Sequence, residues 1–312
     1  MSQAFVDKKA RELEAITTQL VWRQWRAIDG SLNSSEPWHS IVDPEALILA
    51  SLHLVDREPR IHGVMFSWVE ANADLLSVQH LKNLQKTYPP TSHARVAEFA
   101  RHARALSRHP KWNALSADVD ETFPALPDVR RAIRAAPGHT ANLLLRLRMA
   151  LGVGVKADAM GVVLGNERPV SIRDLADILS YTLVGTRSAL LDLSRAGFTI
   201  PIKGKPTTFS APHAQWQALL GLKIRPRWVT WHHWFAFVID YITWCETARA
   251  KHLGEYAIDV KIRELVARHG LFFRYAGHEL DPVAFQSDVG SYAAVLDSLI
   301  DWARRQERYS EA

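Results

Sequence analysis

The sequence predicts a mainly α-helical protein with one small β-hairpin in its middle third. Three observations predict it. Long stretches free of glycine and proline place apolar residues at three- and four-residue spacing. Residues with N-cap chemistry stand directly before several of these stretches. Two short β-prone runs flank Lys203-Gly204-Lys205, a tripeptide suited to a tight turn.

The first segment reads as helical. Residues 4–28 carry Phe5, Leu13, Ile16, Leu20 and Trp22 among charges, and a loop follows from Asp29 to Pro37. Asp43 before Pro44 is a helix start, because an Asp cap followed by proline at the first helical position satisfies both ends of that signal. Further helices are expected at Arg60–Asn72, Ser77–Thr87 and Ser92–Leu106. The run Asp118–Pro127, with Pro124 and Pro127, reads as a linker.

The last segment begins after Pro226. Trp228, Trp231 and Trp234 recur every third residue, followed by Phe235, Phe237, Val238, Tyr241, Ile242 and Trp244. Such a helix belongs in a core or at a subunit contact rather than around a ligand. Helices at Ile258–Arg268 and Tyr292–Arg308 complete the chain. The expected organisation is a helical N-terminal domain over 1–127, a central domain over 128–225 and a helical C-terminal domain over 226–312 that dimerises.

Composition limits the class. Of the 312 residues 47% are apolar, which suits a packed globular protein and not a disordered one. The stretch Trp228–Cys245 is broken by His232, His233 and Asp240, so it does not read as a membrane span. Residues 1–9 lack the apolar core of a signal peptide, and the one cysteine, Cys245, cannot close an internal disulfide; both fit a cytoplasmic setting. Charge is unevenly spread. Residues 128–228 hold 15 Lys and Arg against 6 Asp and Glu, while residues 1–127 hold 14 against 15 and residues 229–312 hold 9 against 12. A basic middle between two slightly acidic flanks is the footprint of a module that binds a polyanion.

The central segment has its own order of signals. Asn142–Leu151 and Lys156–Leu164 form a supporting helical region, with Leu143, Leu144, Leu147, Met160 and Val163 on the inner stripe and Arg146 and Arg148 on the other side. Gly152-Val-Gly-Val-Lys156 lacks the strand and later glycine of a phosphate loop and reads as a turn. Ser171-Ile-Arg-Asp174 is a capping box for a helix whose inner face is Ile172, Leu175, Ala176 and Leu179. After Ser180-Tyr181, Thr182 caps the next helix, over 182–196. Ala189, Leu190 and Leu193 line its inner face and Gly197 stops it. Phe198–Ile202 and Pro206–Phe209 are the two β-prone runs.

The stretch Leu175–Phe198 resembles the helix-turn-helix of winged-helix transcriptional regulators of the MarR and related kinds. The likeness lies in the Leu-Ala opening, the short turn, the capped third helix and the closing Leu-x-x-x-Gly-Phe. It implies a DNA-binding repressor, a central winged helix and a recognition helix at 182–196 entering the major groove, with a basic wing at 203–205. The residues then placed to meet double-stranded DNA are Arg173, Thr182, Thr186, Arg187, Ser188, Lys203 and Lys205. Leu183 and Val184 depart from the pattern, because they cannot donate to base edges, although they can meet thymine methyls. Phosphate contacts from Arg173, Arg187, Lys203 and Lys205 would then supply most of the affinity.

A wider likeness covers the flanks. Asp43-Pro-Glu-Ala-Leu, Glu58-Pro-Arg-Ile-His, Leu76–Leu84 and Pro226–Trp231 look like phrases of a poorly characterised bacterial group of helix-turn-helix proteins. This implies a cytoplasmic bacterial regulator and names no effector. Two-fold DNA sites favour a homodimer, with Trp228, Trp231 or Trp234 near the contact.

Two other readings remain. One is a protein-interaction scaffold carrying a degenerate winged helix. The other is a ribonuclease like those of the HEPN class, whose loose arginine–histidine spacing is met by Arg95 with His102 and Arg104 with His109. With 14 histidines in the chain such pairs arise by chance. His232, His233, Cys245 and His252 lack metal-ligand spacing. No zinc-peptidase, nucleotide-loop or nucleophile-elbow motif is present. The expectation is therefore a non-enzyme with no cofactor and no metal.

Overall fold

The structure, a computed structural model, describes residues 3–29, 38–90, 92–116, 139–251, 254–276 and 291–308, with side chains at a few helix ends left aside. It is mainly helical, with one small antiparallel sheet. Residues 30–37 of the expected loop Asp29–Pro37 and the linker over 118–127 lie outside the described residues, as does His252.

In chain order the first helices are α1 (Gln3–Ile28), α2 (Pro44–Leu54), α3 (Arg60–Asn72), α4 (Val78–Gln85), α5 (Ser92–Ser107) and the short α6 (Asn113–Ser116). The start of α2 follows its sequence signal. Asp43 accepts from the backbone N–H groups of Glu45 and Ala46, both at 3.1 Å, and Pro44 stands at the first position. Every residue of α2 is buried, so it is the central helix of the body. Its polar side chains therefore need partners inside. Ser51 accepts from Trp25 Nε1 at 2.9 Å, His53 bonds Ser92 at 2.7 Å, and Glu45 is met by an arginine described below.

The middle of the chain forms α7 (Leu143–Leu151), α8 (Val155–Gly165), β1 (Val170–Ser171), α9 (Ile172–Leu179), α10 (Leu183–Arg195), β2 (Ile200–Ile202), β3 (Thr208–Ser210) and α11 (His213–Leu220). The sheet order is β1-β3-β2 and both pairings are antiparallel, with Val170 opposite Phe209 and Pro201 opposite Phe209 from the other side. β2 is an edge strand exposed along its length, and Pro201 suits that edge because it offers no N–H to a further strand. Gly152 and Gly154 adopt positive φ between α7 and α8, which is a turn and not a phosphate cradle.

The last helices are α12 (Trp231–Lys251), α13 (Glu255–Arg268), α14 (Gly270–Ala276) and α15 (Ser291–Arg308). Two apolar cores result. One joins α1–α5 with α12, α13 and α15, so the first and last segments pack around shared side chains; the other holds α7–α10, the sheet and Trp216 of α11. Trp231 and Trp234 lie in the first core and Trp228 in the second, all buried within the chain. Within the chain Trp231 stacks on Trp38 and Phe235, and Trp234 packs against Trp302. Among the described residues no helix is long and apolar enough to cross a membrane.

Candidate nucleic-acid interface

α9 and α10 meet at a tight turn built by three local devices. Ser171 Oγ accepts from the Asp174 N–H at 3.1 Å and donates to its carboxylate at 2.6 Å, which starts α9. Ser180 takes the left-handed conformation at φ 53° and ends it. Thr182 Oγ1 then accepts from the Gly185 N–H at 3.2 Å and starts α10.

The outer face of α10 carries Leu183, Val184, Arg187, Ser188 and Leu191, all exposed. Arg173 is exposed on α9, and Lys203 and Lys205 are exposed between β2 and β3. Among the described residues Arg173, Arg187, Lys203 and Lys205 enter no ion pair, whereas Lys156 and Arg195 are both drawn to Asp192, at 2.8 and 3.5 Å. Four cations free of internal partners therefore stand on and beside the outer face of α10.

Thr186 does not belong to this set. It is fully buried, and it falls on the same stripe as Ala189, Leu190 and Leu193 because positions three, four and seven apart share one helix face. From there it cannot touch a partner molecule. The apolar departure is real: Leu183 is 47% exposed and Val184 81%.

Behind the turn lies a buried polar network that the sequence did not reveal. Arg148, read as facing outward, is 1% exposed. Its NH1 and NH2 groups donate to the two Glu45 oxygens at 2.7 and 2.9 Å, its Nε to Asp158 Oδ1 at 2.8 Å, and NH1 also to the Leu75 carbonyl at 3.0 Å. The reason is that a guanidinium can be buried when carboxylates and carbonyls meet its fork of donors. Arg146, its neighbour on the same helix, reaches the Leu220 carbonyl at 2.8 Å. Tyr181, in the turn itself, donates to Asp158 Oδ2 at 2.7 Å and stacks on His80 with ring centroids 5.2 Å apart. His80 in turn bonds Asp43 at 3.0 Å.

Electrostatics follow from this packing. Against the penalty of burial, Asp43 pushes the His80 imidazole up to about 9, and His80 holds the Asp43 carboxyl well below the usual carboxylate range. Burial pushes the Glu45 carboxyl up, opposed by Arg148. Burial also raises the Tyr181 phenol, and the Asp158 carboxylate adds to it, so Tyr181 stays a donor. Asp43, Glu45 and His80 bring ligand atoms within 4.8 Å of one another. A cation there would have to displace both Arg148 from Glu45 and His80 from Asp43, so the arrangement is that of a charge network.

Comparison with family models, with curated proteins and with solved structures gives no match. The geometry alone therefore carries the functional argument.

Further ties hold α9 to the body. Ser180 Oγ lies 3.2 Å from His232 Nε2, and the Tyr275 hydroxyl lies 3.3 Å from Asp174 and 3.2 Å from Asp177. His232 and His233 are adjacent on α12, and burial keeps both neutral, His233 pushed down to about 3. Cys245 is buried further along α12. Of the arginine–histidine pairs, Arg95 donates to the Leu52 carbonyl at 2.7 Å and to Asp56, His102 packs edge-on to Phe66, and His109 Nδ1 accepts from the Lys111 N–H at 3.2 Å.

Proposed function

We propose that residues 155–210 form a winged helix that binds double-stranded DNA, with α10 as the recognition helix and the β2–β3 turn as the wing. The observation that carries this reading is the exposed face of α10 with its neighbouring cations free of internal partners, beside a sheet ordered β1-β3-β2. The order helix, short strand, two helices, hairpin is the order such a module needs. Arg187 and Ser188 face the groove, and Arg173, Lys203 and Lys205 meet phosphates on either side. The cap at Thr182 leaves the N-terminus of α10, with its partial positive charge, toward the DNA.

The biological role this supports is a cytoplasmic bacterial transcriptional repressor acting as a homodimer, since one recognition helix covers only a few base pairs. The test is titration of a labelled duplex at several salt concentrations, because phosphate contacts give an affinity that falls steeply with salt. An affinity that does not respond to salt would contradict the reading.

A second reading has its own observation. Leu183, Val184 and Leu191 on α10, with Ile200 and Ile202 on β2, are all exposed and apolar. That composition also suits a protein partner, and in that case the module is an interaction scaffold. Retention on a protein partner with no retention on DNA at low salt separates the two.

A further inference from the structure

Residues 1–127 hold 14 Lys and Arg against 15 Asp and Glu, but the charges are unevenly placed. From 99 to 117 there are four Lys and Arg and no Asp or Glu. This stretch takes in the second half of α5 and the turn after it. Val96, Phe99, Ala100 and Ala103 are buried against the body and fix the inner face of α5. Positions 101, 104 and 108 stand three and four apart, so they share the opposite face. Arg101, Arg104 and Arg108 accordingly line one open depression of about 420 Å³, with Pro110 at its end.

Two features set this face apart from an ordinary solvated helix. The first is the missing counter-charge. Arg104 and Arg108 are exposed and make no side-chain hydrogen bond or ion pair among the described residues, whereas Arg57, Arg60 and Arg95 of the same body each meet a carboxylate. Like charges on one helix face repel, and an acid three or four residues away relieves them; neither arginine has one. The second feature is the end of α5. Arg108 takes the left-handed conformation at φ 53°, and its N–H donates to the Arg104 carbonyl at 2.8 Å. Glycine or asparagine closes a helix there with less strain, so a position that favours glycine instead carries a guanidinium into the same depression.

We infer that this arginine face of α5 is a second contact for DNA, holding the phosphate backbone without regard to sequence. Guanidinium forks match phosphate oxygens in pairs. The face is open, and an exposed ion pair in water is weak, so one small anion gains little there. A polyanion meets several arginines at once and releases its counterions. Arg101 to Arg108 spans about 10 Å of helix, against about 3.4 Å of duplex axis per phosphate on one strand, so the face is long enough for two or three phosphates. No aromatic ring lines the depression, so no base stacks in it. The choice of duplex DNA as the partner rests on the reading of α10 and the wing as a DNA-binding module. The anion chemistry of the face does not, because the two surfaces share no residue.

The test is titration of labelled duplexes of two unrelated sequences at several salt concentrations. It compares the unaltered full chain, a double variant with Arg104→Gln and Arg108→Asn, and a triple variant with Arg187→Ala, Lys203→Ala and Lys205→Ala. Glutamine keeps a helix former at 104, and asparagine tolerates the left-handed conformation at 108. The double variant should flatten the log–log salt slope by about two units on both sequences alike, and its thermal midpoint should hold. If it keeps the slope of the unaltered chain while the triple variant flattens it, the α5 face is overturned and the α10 reading stands. If the double variant alone flattens the slope, the face stands and the α10 reading fails. No affinity of the unaltered chain for either duplex at about 50 mM salt overturns both. A lower thermal midpoint with an unchanged slope also overturns the face, since the arginines then serve only the C-terminal end of α5. Polyglutamate that competes with duplex for the triple variant as well as unlabelled duplex does overturns the assignment to phosphate.

Discussion

The Tyr181 hydroxyl donates to Asp158 Oδ2 at 2.7 Å, from the turn between α9 and α10 to the first turn of α8. Through Asp158 this contact reaches Arg148, Glu45 and the central helix α2. The orientation of the α9–α10 pair is thus set by a buried polar chain as well as by apolar packing. Tyr181→Phe removes the donor and leaves a buried carboxylate with Arg148 alone. The expected loss is about 1–3 kcal/mol of stability, measured by urea denaturation. An unchanged midpoint would show that the contact holds nothing in place.

Arg148→Met should cost more. It leaves Glu45 and Asp158 buried without their counter-charge, and the expected loss is about 3–5 kcal/mol. Chemical denaturation followed by circular dichroism checks it. A loss below about 1 kcal/mol would mean that water or another cation already compensates the two carboxylates.

Stability should peak near neutral pH and fall on both sides. His53, at about 4, and His233, at about 3, are held below the ordinary 6.5 by burial, and His232 is lowered by burial and by His233. Between 6.5 and those values the unfolded chain binds protons that the native chain refuses, so acidification destabilises, by up to about 1.4 kcal/mol per pH unit for each group. His80 works the other way. Its native value is raised to about 9 by Asp43, so its contribution is complete below 6.5 and is lost as pH rises through 9. Urea midpoints at pH 5, 6.5 and 9 test this. A midpoint at pH 5 equal to or above that at 6.5 would contradict it.

Thr186→Val should be neutral or stabilising by about 0–1 kcal/mol, because the buried hydroxyl has no hydrogen-bond partner to lose among the described residues. It should also leave DNA affinity unchanged. A drop in affinity at preserved stability would return Thr186 to the contact surface.

The local signals were legible. Asp43 with Pro44, Ser171 with Asp174, and Thr182 each announce a helix start through contacts two or three residues away, and each forms as read. The resemblance places Thr186 toward DNA, although its spacing to Ala189, Leu190 and Leu193 already fixes it on the buried face. Arg148 was not legible. Its partner Glu45 lies 103 residues away, and no periodicity within α7 signals a carboxylate arriving from α2. β1 is two residues long, paired only through β3, and gives no alternation to detect.

The DNA-binding account rests on a few exposed cations, and their removal tests it most directly. Labelled duplex is titrated at several salt concentrations with the unaltered protein, Arg187→Ala, Lys203→Ala, Lys205→Ala and the triple variant. Arg187→Ala should cost about 1–3 kcal/mol and relax sequence preference, as loss of a base-edge contact does. Each lysine variant should weaken all duplexes alike and flatten the log–log salt slope by about one unit. All are exposed, so stability should hold. If the unaltered protein has no affinity for any duplex at about 50 mM salt, or if the triple variant binds as well as it does, the α10 face does not bind DNA and the interaction scaffold takes its place.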